Sequence, residues 1–174
     1  PHLTRNASNI GGWQSKDITG FPDPLFQEFA TLLHKPFVEF LRKGLRQRLP
    51  ARLADIENVA VAAVVHELWA NVNRAGDWNV VHDHGPADNS HVCSGVYYPL
   101  VNRGHEGKAA DRKKASIKFF LPAGTVDVSP SPGLLLLFPP HLRHEVAPMQ
   151  VEEDPRVSLA FNLRVRWLDQ PILR

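Results

Sequence analysis

The stretch Arg156-Val157-Ser158-Leu159-Ala160-Phe161-Asn162-Leu163-Arg164-Val165-Arg166-Trp167, RVSLAFNLRVRW, alternates in character residue by residue. In an extended chain successive side chains project to opposite faces. Val157, Leu159, Phe161, Leu163, Val165 and Trp167 therefore share one face, and Arg156, Ser158, Ala160 and Asn162 share the other. A strand of this length with one wholly apolar face needs a core to cover it. The polar face has two readings: it lies in water, or it lines a cavity in which Arg156 and Ser158 address the same ligand. Taken alone, the strand favours water.

Upstream, further strands are expected over residues 59–72, 91–100, 116–121, 133–138 and 143–148. They are separated by turns at Leu121-Pro122-Ala123-Gly124 and Ser129-Pro130-Ser131-Pro132-Gly133. Several short strands joined by Gly/Pro turns indicate an antiparallel barrel or sandwich. The first part of the chain reads as helical over 24–33 and 36–49, with Phe37, Phe40, Leu41, Leu45 and Leu49 at helical spacing in the second segment. Pro24 and Pro36 stand where helices start, and Pro50 where the second one ends. Helices first and strands after place the helices on one face of a sheet. The expected architecture is mainly β, a jelly roll with N-terminal helices packed on one sheet. It forms a single domain over 1–174, with helical support at about 22–50 and a β core at about 59–168.

A chain of 174 residues with 43% apolar and 22% charged residues suits one soluble domain with a sizeable core. A net charge of +2 requires neither a nucleic acid nor a membrane as partner. The basic runs Arg42, Lys43, Arg46, Arg48, Arg52 and Arg112, Lys113, Lys114 read as a solvated helix face and a surface loop. Cys93 is the single cysteine, which excludes an internal disulfide and fits a reducing compartment; within a strand it reads as a small buried hydrophobe. No apolar stretch suffices to span a bilayer and no signal peptide is visible, so the expected setting is cytoplasmic. Asn6-Ala7-Ser8 matches a glycosylation pattern too short to weigh against that setting, and the start at Pro1 suggests a truncated chain.

Three of the nine histidines fall in His82-Asp83-His84-Gly85-Pro86-Ala87-Asp88-Asn89-Ser90-His91. Two residues apart in a strand, His82 and His84 face the same way and can reach one ion, and imidazole suits iron, zinc, copper and nickel. His144, in Phe138-Pro139-Pro140-His141-Leu142-Arg143-His144, follows an apolar strand and a Pro-Pro turn that can bring it alongside. No cysteine set completes a structural zinc site, and His66-Glu67 lacks the second histidine of a zinc-protease helix. On the residues alone, a metal site and a set of ordinary histidines are nearly evenly matched.

The order of these motifs resembles the 2-oxoglutarate and iron(II)-dependent oxygenases, in the prolyl-hydroxylase-like branch and a bacterial group within it. The motifs are His82-x-His84, the Tyr97-Tyr98 strand, Pro130-Ser131-Pro132-Gly133 with its following strand to Phe138, His144, and Arg156-x-Ser158. Ser8-Asn9-Ile10-Gly11-Gly12-Trp13-Gln14-Ser15 and Trp69-Ala70-Asn71-Val72-Asn73 also look like that bacterial group. The resemblance implies a double-stranded β-helix. It implies iron(II) held by His82, His84 and His144, and 2-oxoglutarate held by Arg156 with Tyr98 and Ser158. It further implies hydroxylation of a small-molecule or peptidyl substrate with release of succinate and carbon dioxide.

The chain departs from the family's commoner His-x-Asp by carrying His84. Either His84 is a third neutral ligand, or Asp83 reaches the metal through a bulge, or iron chemistry has been lost. His91, an odd number of residues away, reads as a neighbour of the pocket, and Trp69, Asn71, Asn73 and Asn79 as its substrate side. Two rival readings remain: a three-histidine dioxygenase without an oxo acid, and a non-enzymatic jelly-roll binding module. The open edges of a jelly roll also suit a homodimer.

Overall fold

The computed structural model describes residues 8–48, 61–85, 91–101, 116–148 and 155–168. Asn6, Leu49, Pro50, Arg52 and the Arg112–Lys114 run lie outside them. In chain order the elements are β1 (Asn9–Ile10), β2 (Trp13–Gln14), α1 (Pro24–Arg48), β3 (Val61–Asn73), β4 (Trp78–His82), β5 (Cys93–Leu100), β6 (Ile117–Leu121), β7 (Gly124–Val128), β8 (Leu135–Phe138), β9 (His144–Val146) and β10 (Arg156–Trp167). They form two antiparallel five-stranded sheets, ordered β2-β3-β10-β5-β8 and β1-β4-β9-β6-β7. This is the two-sheet jelly roll of a double-stranded β-helix. Among the described residues no helix is long and apolar enough to cross a membrane.

One helix stands where two were expected. Asp23 caps it: its carboxylate accepts from the Leu25 N–H at 2.9 Å and its carbonyl from the Phe26 N–H at 3.1 Å, with Pro24 at the first helical position. The helix then runs through Pro36. An interior proline costs about 3 kcal/mol. Here the flanking Leu33 and Phe37 are fully buried, each worth about 1.5–3 kcal/mol. The apolar stripe of Phe26, Phe29, Leu33, Phe37, Phe40 and Leu41 is continuous across the proline, so packing overrides the local break.

That stripe covers the apolar face of the sheet centred on β10. Leu68, Cys93, Phe161 and Leu163 are buried beneath α1, and the Phe29 ring lies 5.6 Å from Tyr97 and 5.7 Å from Phe161. Cys93 is part of this core, and burial pushes its thiol up to about 12, the behaviour of a hydrophobe rather than a nucleophile. A Cβ added at Gly95 would stand 2.5 Å from the Phe161 ring and 2.8 Å from the Leu136 carbonyl oxygen. Gly95→Ala is expected to destabilise the fold by about 1–3 kcal/mol in urea melts; an unchanged midpoint would show that the β5–β10 contact relaxes freely.

β1, β2 and β7 are not among the strands the sequence predicts, and β4 stops at His82, short of the strand expected through His84. β1 and β2 are two residues each, and β7 lies between two turns with its side chains largely exposed. None of them carries a long apolar alternation.

Candidate metal centre

β4 and β9 pair with a register shift between Asn79 and His82, and past this bulge His82 stands directly opposite His144. His144 is in turn opposite Phe119 of β6. β4 ends at His82, so His84 does not share a strand face with it. His84 is fixed otherwise: its N–H donates to the Pro140 carbonyl at 2.8 Å, and its carbonyl accepts from His91 Nε2 at 2.9 Å. The ring centroids are 4.3 Å apart for His82 and His144, 5.3 Å for His84 and His144, and 5.6 Å for His82 and His84. One ring nitrogen from each lies within 4.8 Å of the others.

The backbone sets the tautomers. His82 Nδ1 donates to the Val80 carbonyl at 2.7 Å and His144 Nδ1 to the Leu142 carbonyl at 2.8 Å. Each Nε2 therefore keeps its lone pair for a metal. Trp69 stacks on His84 at 5.6 Å, and Phe138 packs edge-on to His144 at 4.9 Å, so the rings sit between apolar walls.

Burial first, and the neighbouring imidazoles after it, hold His84 down to about 3; burial likewise holds His144 down to about 4. Both groups bind fewer protons folded than unfolded. Their contribution to the metal-free fold is thus fully present above the ordinary value of 6.5 and is lost as pH falls through about 4 and then 3. Thermal melts of metal-free protein should show a midpoint that declines progressively below pH 6.5. A midpoint flat from pH 6.5 to 4 would contradict this.

From Arg156 to Asn162 the polar face of β10 does not lie in water; beyond it Arg164 and Arg166 are exposed. Arg156, Ser158, Ala160 and Asn162 line a cavity of about 480 Å³ between the two sheets, which the three histidines also line. Arg156 is 2% exposed, Ser158 6% and Tyr98 2%. Desolvation lowers Arg156, against the favourable fields of Tyr98 and Asp77, and burial raises the Tyr98 hydroxyl against the field of Arg156. A guanidinium stays charged even so, and a buried one suits an anion with planar oxygens. All six site residues expected from the sequence thus reach one cavity.

Asp83 also borders the cavity, but it is exposed and its carboxylate accepts from the Gly85 N–H at 2.9 Å. Among the described residues, the metal-capable cluster consists of the three histidines without Asp83. Trp69, Asn71 and Asn79 line the cavity as expected; Asn73 is buried outside its lining. His91, expected only beside the pocket, is part of its lining and stacks on His66 at 6.4 Å. Sequence reasoning overlooked Gln14, Ser94 and Glu67. Gln14 lies opposite Asn71 on a two-residue strand and is 5% exposed, its Oε1 without a hydrogen-bond partner among the described residues. Glu67 and Ser94 flank Asn162 on the neighbouring strands, which only the register reveals.

The donors present suit a divalent transition metal: three neutral imidazoles converge, two with their Nδ1 already engaged. A buried cation in the same cavity suits an oxo-diacid beside the metal. A jelly roll with such a cavity suits the class of double-stranded β-helix oxygenases. Residues 67–162 match the family described as "Putative 2OG-Fe(II) oxygenase", and the chain belongs to that family. Iron(II) and 2-oxoglutarate are accordingly its metal and cosubstrate.

Solved structures share the fold. A Pseudomonas putida prolyl-4-hydroxylase is 22% identical, with TM-score 0.54 over 88% of this chain and 72% of its own. HygX from Streptomyces hygroscopicus, with nickel, 2-oxoglutarate and hygromycin B bound, is 13% identical, with TM-score 0.54 over 92% and 72%. The viral collagen prolyl hydroxylase of Paramecium bursaria Chlorella virus-1, in a 2-oxoglutarate complex, is 10% identical, with TM-score 0.51 over 90% and 80%. No curated protein shows a significant match to the sequence.

Proposed function

We propose that the chain is a hydroxylase in which His82, His84 and His144 hold iron(II), and Arg156, with Tyr98 and Ser158, holds the far carboxylate of 2-oxoglutarate. The observation that carries this reading is the convergence of three imidazoles in one cavity with a buried guanidinium. Iron(II) with 2-oxoglutarate supplies dioxygen activation coupled to loss of carbon dioxide and formation of succinate. The chain's share is placement. Arg156 offers a charged fork that pairs two carboxylate oxygens, and the hydroxyls of Tyr98 and Ser158 donate around the same group. Trp69, Phe119 and Phe138 exclude water from the metal side. Asn71, Asn79 and Gln14 present amides for a polar small-molecule or peptidyl substrate.

Residues 1–174 are taken as one domain. The single buried cysteine fits a reducing, cytoplasmic setting. β7, paired among the described residues only with β6 and exposing Val126 at 45%, is an open edge suited to a homodimer.

The test is oxo-acid turnover. Protein reconstituted with iron(II) in air, with ascorbate as reductant, should convert 2-oxoglutarate to succinate slowly even without substrate, and His82→Ala should not. Tight metal binding with no succinate under any condition would favour a three-histidine dioxygenase that dispenses with the oxo acid.

A further inference from the structure

One row of side chains crosses the cavity wall beside His84. Glu67 on β3 lies directly opposite Asn162 on β10, and Asn162 directly opposite Ser94 on β5. The three are joined: Ser94 Oγ donates to Asn162 Oδ1 at 2.7 Å, and Asn162 Nδ2 donates to Glu67 Oε2 at 2.8 Å. Ser94 and Asn162 are buried, at 0% and 3% exposure, and Glu67 lines the cavity. Next to this row the β3–β10 register shifts between Asn162 and Leu163, so that His66 has no partner across the pair. A bulge of this kind re-aims the side chains beside it. The Asn162 side chain stands beside the His84 ring in the lining of the same cavity.

The chemistry gives this row a purpose. A carboxylate ligand would cancel one of the metal's two positive charges, whereas a third neutral imidazole cancels none. Among the described residues Glu67 has no cationic partner within ion-pair distance, and its bond is to the Asn162 amide. An imidazole bound to metal keeps one ring N–H, and that N–H needs an acceptor to fix the ring. Asn162 Oδ1 has a second lone pair to offer.

We propose that Asn162, held by Ser94 and Glu67, is the positioning residue that makes His84 a metal ligand, and that Glu67 supplies at one remove the carboxylate absent from position 84. In this arrangement the His84 N–H donates to Asn162 Oδ1, and the polarised amide passes its other hydrogen bond to the Glu67 carboxylate. This rests on His84 being a ligand.

The test uses cobalt(II), whose affinity and visible d–d spectrum report the ligand field without turnover. Asn162→Ala should weaken cobalt(II) binding by about 10–100-fold, the usual cost of removing an outer partner of a ligand, and alter the spectrum. Glu67→Gln, which keeps size, should weaken it less, by roughly threefold to tenfold, with metal-free melting unchanged. The double variant N162D/E67Q reverses the donor and acceptor between the two side chains and places the carboxylate directly on the His84 N–H. It should recover affinity to within about threefold of the parent, which a merely structural role would not produce. Parental affinity and spectrum in both single variants, with cobalt(II) binding lost in His84→Ala, would overturn the proposal alone. Parental binding in His84→Ala would overturn the ligand assignment beneath it.

Discussion

His144→Ala is expected to abolish iron(II) binding at micromolar metal and all succinate formation. The affinity loss should exceed the roughly 10–100-fold that follows removal of an outer-shell partner. His144 sits closest to the other two rings, at 4.3 Å and 5.3 Å between centroids, and is 4% exposed. Its Nδ1 is engaged by the Leu142 carbonyl, so Nε2 is the only nitrogen it can offer. Among the described residues no fourth group joins the cluster of three, and Asp83 directs a carboxylate oxygen to the Gly85 N–H. Isothermal titration of metal-free protein with iron(II) under nitrogen checks this. Metal-free melting of the same variant separates a lost ligand from a lost fold, since truncation also leaves a gap against Phe119 and Phe138. Retained tight binding would exclude His144 from the site.

The second large effect belongs to Arg156. Arg156→Met keeps much of the length and removes the charge. It should raise the 2-oxoglutarate concentration for half-saturation by about two to three orders of magnitude, because leaving one member of a buried charge pair alone costs about 3–5 kcal/mol. Iron(II) affinity should be unchanged, since the histidines lie on other elements. Arg156→Lys should recover little, because an ammonium cannot pair two carboxylate oxygens in one plane. Steady-state kinetics with varied 2-oxoglutarate measures both variants. A variant that loses metal and oxo acid together would mean that Arg156 supports the fold rather than the cosubstrate.

Much of this site was legible in the sequence wherever a residue's face follows from period two. The alternation of residues 156–167 placed Arg156, Ser158 and Asn162 together, and they do share the cavity wall. What that strand alone could not decide was which face meets water. Over residues 156–163 both faces are covered, one by α1 and one by the second sheet, and the second sheet is assembled from short strands with little pattern of their own. The histidines were found by type and spacing, yet the reason for their convergence was not. His82 and His84 do not share a strand face; a bulge in β4 and the bonds from His84 to Pro140 and His91 bring them together. The single helix through Pro36 shows the same limit from the other side, because a local breaker is outweighed by an apolar stripe that only the tertiary fold makes continuous. Glu67 and Ser94 carry no motif, and their register across β10 is what joins them to Asn162.

The most direct measurement is an anaerobic titration followed in the visible spectrum: iron(II) added to metal-free protein, then 2-oxoglutarate. The expected result is a weak charge-transfer band that appears only when both are present, is absent in His144→Ala, and in Arg156→Met forms only at far higher 2-oxoglutarate. Iron(II) bound tightly with no band at any 2-oxoglutarate concentration would contradict it.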